Sequence, residues 1–250
     1  MMLPEGLTPE QFSKKPAVLK ALNNPRSPSS VLNYMCGCDI SNPNDRKSLF
    51  YDETVEPLLG IWFRSGTALD DICKPFSSVI RELKADPQTL IEDEWFTLEG
   101  QVARVLLADQ LSRSCFRGTA EAFSFDHIGR ELVRDLVSKK KVDQTLKLPP
   151  ALLYLLPWAL AHSEEIIDLV RACEIIDMAI GAYPDFSLFE GRNKKAVDQH
   201  RQVLEKFGRY PQRNLEFRRA NTAEEEKWLN DKENLPIWAG GNLSFDQKIK

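Results

Sequence analysis

Histidine is scarce in this 250-residue chain. His127, His162 and His200 are the full set, so a metal centre would have to draw most of its ligands from carboxylates. Glycine is sparse at 12 residues, and no dinucleotide fingerprint, phosphate loop or nucleophile elbow can be read from them. Basic residues are not in excess. The 33 lysines and arginines stand against 37 aspartates and glutamates for a formal net charge of -4, which provides no long-range field to attract nucleic acid. Long apolar runs are missing too: the longest, Ala151 to Ala161, contains Pro157 and falls short of the ~20 residues that span a bilayer. The opening Met1 to Gly6 lacks the basic flank and apolar core of a targeting peptide, so a cytoplasmic protein with no membrane partner is expected. Cysteines are 5, odd in number and scattered, the usage of reduced thiols rather than of a disulfide framework. Cys36 and Cys38 are the only pair close in sequence, and no second pair accompanies them to complete a metal site.

What is present is globular: 42% apolar and 28% charged residues, with apolar positions recurring at helical rather than alternating spacing. The fold class this predicts is all-α. One helix is expected from Thr67, as N-cap, through Leu69, Ile72, Phe76, Val79, Ile80 and Leu83, with Pro75 kinking it or marking its first turn. A second, from Leu98 to Leu111, is apolar on most sides and reads as the central helix. Further helices are expected over Phe123 to Val137, Pro150 to Leu156, Glu164 to Ile180, Asn193 to Phe207 and Ala223 to Asn230, the last opened by a Thr222/Glu225 capping box. The organisation read from this is an N-terminal arm over 1–30, punctuated by prolines and wrapped on the body or only partly ordered. A single helical domain over 31–231 and a C-terminal tail over 232–250 follow.

Three polar constellations stand out. In Asp109-Gln110-Leu111-Ser112-Arg113, followed by Arg117, the aspartate falls on the apolar stripe of Leu98 and Val102. A carboxylate buried there needs a cationic partner, Arg113 or Arg117. In His162-Ser163-Glu164-Glu165, Ser163 has the place of an N-cap with both glutamates in the first helical turn, leaving His162 just outside. In Phe207-Gly208-Arg209-Tyr210-Pro211-Gln212-Arg213-Asn214, Gly208 suits a helix C-terminus, and Arg209 and Arg213 project from a tight turn. Guanidinium forks there can hold an anion or cap the last carbonyls. Asp109, His162, Glu165 and His200 follow no zinc or di-iron spacing, so neither metal nor other cofactor is expected.

With these blocks in view, the chain from about Val31 to Leu229 resembles a family of all-helical proteins known as domain of unknown function nine-two-four. The resemblance rests on Leu107-Ala108-Asp109-Gln110 with Arg113 and Phe116-Arg117-Gly118-Thr119, on Leu155-Leu156-Pro157 through His162-Ser163-Glu164, and on His200 leading to Phe207-Gly208-Arg209-Tyr210-Pro211 with Arg213-Asn214. The chain departs from the family pattern at Ser112, Ser114, Gln212 and Arg218, and at Asn33-Tyr34-Met35. The resemblance implies a tetratricopeptide-like array of antiparallel helical hairpins and a set of polar positions, without a reaction.

Two functions compete. In the first, a binding or scaffold module has an arginine-rich pocket for an anionic small molecule or acidic peptide, built from Asp109, Gln110, Arg113, Arg117, His162, Glu164, His200, Arg209, Arg213 and Asn214. In the second, a hydrolase-like enzyme uses His162 as acid/base with Asp109 or Glu165. A third reading makes all these groups internal ties and moves the working surface to an apolar patch near Trp238. Oligomeric state is not legible.

Overall fold

A computed structural model of the chain describes residues 6–64, 66–85 and 90–243. The described residues are helical, with no strand and one isolated bridge, Pro236 to Leu243. Three of the N-terminal prolines begin helices, while Pro25 lies in the link between two. Pro9, Pro16 and Pro28 sit in the first turns of Pro9–Ser13, Pro16–Asn23 and Pro28–Cys36, where a missing N–H costs nothing. The segment read as an arm therefore packs on the body, with Phe12, Val18 and Ala21 buried in the main core.

The central helix runs Leu98–Leu106, capped by the Thr97 hydroxyl, which accepts from the Gly100 N–H at 3.0 Å. It then widens into a π turn at Leu107–Leu111 and returns to α at Ser112–Cys115. It packs against Pro28–Cys36, Asp126–Leu136 and Pro150–Ala161, which explains why it is apolar nearly all round. Gly100 lies against the backbone of Glu94 and Trp95, where an added Cβ would overlap both. Gly100→Ala is expected to cost about 1–3 kcal/mol by overpacking, read as a lowered urea midpoint at unchanged m.

Three local expectations are corrected. No helix starts at Thr67: turns run to Cys73, a 3-10 turn spans Lys74–Phe76, and the α-helix is Ser77–Ala85, because Pro75 has no N–H to give and disfavours α geometry before it. Pro157 does not end its helix, which continues to Ala161. Every side chain from Pro150 to Ala161 is buried, and that packing offsets the ~3 kcal/mol an internal proline costs. Ser163 is not the N-cap of the following helix, Ile166–Ala182, whose N-cap is Glu165. The Ser163 hydroxyl instead accepts from Arg130 Nη1 at 2.9 Å and the Glu165 N–H at 3.1 Å. The Thr222/Glu225 capping box and the left-handed Gly208, at φ 70°, are as read.

The tail docks on the body through Leu235, which joins Leu169, Val203, Leu204, Tyr210 and Trp228 in a second apolar cluster. Phe245 lies outside the described residues. Among the described residues no helix is long and apolar enough to cross a membrane. The short connections between packed helices, such as the one joining Pro150–Ala161 to Ile166–Ala182, are compatible with a tetratricopeptide-like array.

Candidate functional site

Asp109 lies in the π turn and, as its place on the apolar stripe requires, is buried at 1% exposed. Its carboxylate is met on both oxygens: His162 Nδ1 lies 2.7 Å from Oδ1, Gln110 Nε2 donates to Oδ2 at 2.6 Å, and Arg113 Nη2 stands 3.2 Å from Oδ1. Burial alone would raise the Asp109 carboxyl, but these donors outweigh it and hold the group below the usual carboxylate range. Burial, reinforced by Arg113 and Arg213, pushes the His162 imidazole below its ordinary value against the opposing pull of Asp109. The pair is therefore an anionic carboxylate accepting from the Nδ1–H of a neutral imidazole, and Nε2 carries the free lone pair.

Behind the pair lies a second carboxylate. Arg113 forks onto Asp126 at 3.0 and 3.2 Å, and Arg213 Nη1 approaches the same carboxylate at 3.5 Å while donating to the His162 carbonyl at 2.9 Å. Burial and the neighbouring Arg113 lower the Arg213 guanidinium to about 10, still charged at neutral pH. Arg213 also lies between the Phe123 and Tyr210 rings, 4.8 Å from each centroid.

In front of the pair is a cavity of about 240 Å³. Gln110, Arg113, Ser114 and Arg117, on successive turns, form one wall with His162; Trp62, Phe63, Tyr154, Trp158, His200 and Trp238 supply rings to the others. Trp158 packs 4.9 Å from Phe63 and 5.8 Å from His162, and Trp238 stacks on His200 at 3.8 Å, 17° from parallel. The Trp238 N–H donates to Gln199 at 2.9 Å, which fixes the tail as part of the cavity wall. Trp158 Nε1 is buried and has no partner among the described residues. The lining includes Arg113, Arg117 and Arg192 but, among the described residues, no aspartate or glutamate. Their partners stand outside it: Asp70 2.7 Å from Arg117, and Glu56 2.6 Å from Arg192.

The structure thus brings together Asp109, Gln110, Arg113, Arg117, His162 and His200, the last by way of its ring 5.8 Å from that of His162. It separates the others. Glu164 binds Arg219 at 2.8 Å and the Tyr210 N–H at 3.0 Å; Arg209 forks onto Glu225 at 2.6 and 2.8 Å; Asn214 donates to Asn221 at 2.8 Å. Glu165 is exposed, so Asp109 is the carboxylate that orients His162. Arg213 reaches the site only through its backbone contact to His162 and through Asp126. Beyond His200 and Trp238, the aromatic walls and Arg192 are not singled out by the sequence, although Trp158 and His162 are one turn apart and Trp62-Phe63 is conspicuous. A second π turn, Phe189–Lys194, carries Arg192. Both π turns therefore supply residues to this cavity.

Fold and cavity together define an all-helical protein with an aromatic pocket backed by a buried acid–histidine pair. Over residues 48–233 the chain matches the family described as bacterial protein of unknown function (DUF924), and it belongs to that family. A solved structure similar to it is that of a protein of unknown function, ATU0120, from Agrobacterium tumefaciens, at 26% identity, a TM-score of 0.53, and coverage of 68% of this chain and 88% of that one. No curated protein matches.

Proposed function

We propose that the protein binds a compact anionic small molecule with a flat, largely apolar body. The observation that carries this is the composition of the cavity: aromatic rings on several sides, and arginines without a lining carboxylate on the rest. Rings favour a planar, desolvated ligand, and guanidiniums favour a carboxylate or phosphate. A cavity of about 240 Å³ favours a small molecule over an acidic peptide. Two π turns on one cavity support the same reading, since such turns concentrate at functional sites. The free cysteines fit the reducing, cytoplasmic setting expected from the sequence.

Trp62, Trp158 and Trp238 make the cavity report on itself. Titration with benzoate is expected to change tryptophan fluorescence saturably, and Arg117→Ala to weaken binding about tenfold, equivalent to about 1.4 kcal/mol. Arg209→Ala, away from the cavity, is expected to leave the affinity unchanged. No saturable response to benzoate or related aromatic carboxylates and phosphates would reject the reading.

A further inference from the structure

The binding reading does not need the most ordered feature of the cavity wall. Asp109 could pair with Arg113 alone; instead it is shared with His162, which spends its Nδ1–H on the carboxylate. That bond fixes the tautomer, so the remaining lone pair sits on Nε2, which makes no hydrogen bond among the described residues. The ring belongs to the cavity lining, and Arg213 holds its backbone carbonyl from behind. His200 is different: its Nδ1 donates to the Ala196 carbonyl at 2.8 Å, no carboxylate orients it, and Trp238 covers its face. An oriented neutral imidazole facing a ligand cavity beside arginines is the arrangement of a general base next to a site for developing negative charge.

We propose that this cavity hydrolyses compact carboxylic esters with a flat apolar group, His162 Nε2 acting as general base toward water. The proposal rests on the binding reading and gives its arginine wall a reaction, holding the oxyanion and then the carboxylate formed from it. As the water oxygen bonds to the ester carbonyl carbon, one water proton passes to Nε2 and the C=O π pair moves onto oxygen, giving a tetrahedral oxyanion at the arginine wall. When that pair returns to re-form C=O, the bond to the alcohol oxygen breaks and the imidazolium gives its proton to the leaving oxygen. The sum is ester plus water to acid plus alcohol, with no other reactant. Asp109 touches His162 and no reacting atom in this scheme, so it is a positioning residue.

The test uses the full chain with phenyl acetate and, separately, benzoate. The proposal expects saturable phenol release, competitively inhibited by benzoate, and a fall in kcat/KM of about 100-fold or more in His162→Gln with benzoate affinity kept within about threefold. His127→Gln, exposed and outside the cavity, should match the parent and so exclude hydrolysis by a surface imidazole. Asp109→Asn should lower kcat more than it raises KM and displace the acidic limb of the pH profile, which a merely structural role would not do. If His162→Gln fails to fold, the parent's pH profile decides: loss of kcat/KM on acidification with a midpoint below 6.5 supports the base, while a rate proportional to hydroxide overturns it. Benzoate binding without turnover above buffer overturns hydrolysis and leaves the binding reading standing; absence of both overturns both.

Discussion

Asp126→Ala is expected to destabilise the protein by about 3–5 kcal/mol, the cost of breaking a buried ion pair from one side. Asp126 is the one carboxylate shared by Arg113 and Arg213 among their described contacts. Both arginines are largely buried, Arg213 at 6% exposed, and each already disfavours the other's charge. Removing Asp126 strands two guanidiniums in low dielectric, with Asp109 able to compensate only Arg113. Asp126→Asn should cost less, because the amide oxygen still accepts a hydrogen bond while the charge is lost. Urea unfolding at pH 7 checks this through the midpoint at constant m. The contrasting measurement is Lys14→Ala: its pair with Glu10 is exposed on both sides, and loss of such a pair moves stability by about 1 kcal/mol or less. Equal effects at the two positions would mean that the Asp126 network is solvated, and that the site behind His162 is not built as described.

The contrast between these pairs shows what could be read in advance. Asp109 betrayed itself in the sequence because a carboxylate on an apolar stripe must be partnered, and Arg113, one turn on, was within reach. His162 as the partner of Asp109, and Asp126 as the second carboxylate on Arg113, are not legible locally; tertiary packing of Asp126–Leu136 and Pro150–Ala161 on the central helix brings them in. The helices were legible where caps and periodicity agreed, as at Thr222, Glu225 and Gly208. They were misread where a rule was overridden. Pro157 has the sequence signature of a breaker, yet a helix buried on every side tolerates one missing bond; Ser163 has that of a cap, yet its hydroxyl accepts from Arg130. The two π turns have no signature that periodicity detects, so the joint contribution of Gln110 and Arg192 to one cavity is not legible in the sequence. The close approach of Cys73 and Cys115, 3.3 Å between sulfurs, was equally hidden, while Cys36-Gly37-Cys38 drew attention by adjacency alone.

Acidification from pH 7 to pH 5 is expected to remove about 2 kcal/mol of stability through His200 alone. Burial, helped by the neighbouring His162, lowers the His200 imidazole to about 3 against an ordinary 6.5. Below 6.5 the unfolded chain takes up a proton there and the folded chain does not, so each further unit favours unfolding until the folded ring also protonates near 3. His162 is lowered as well and adds in the same direction. A second stretch follows at lower pH. The hydrogen bond and charge of Arg209 lower Glu225 to about 2, so its contribution is present above 4.5 and disappears as pH falls toward 2; Asp109, also lowered, behaves alike from 3.8 downward. The part of the histidine window between pH 7 and pH 5 is separable because it lies above both carboxylate values. Comparing urea unfolding of the parent and His200→Gln at pH 7 and pH 5 isolates it: the variant is expected to be less stable at pH 7, having lost the stack with Trp238, yet to lose about 2 kcal/mol less on acidification. An unchanged loss in the variant would assign the protons to groups other than His200 and would argue that its ring meets water in the folded state. The tail carrying Trp238 would then not seal that side of the cavity, and the pocket would be open where His200 is now covered.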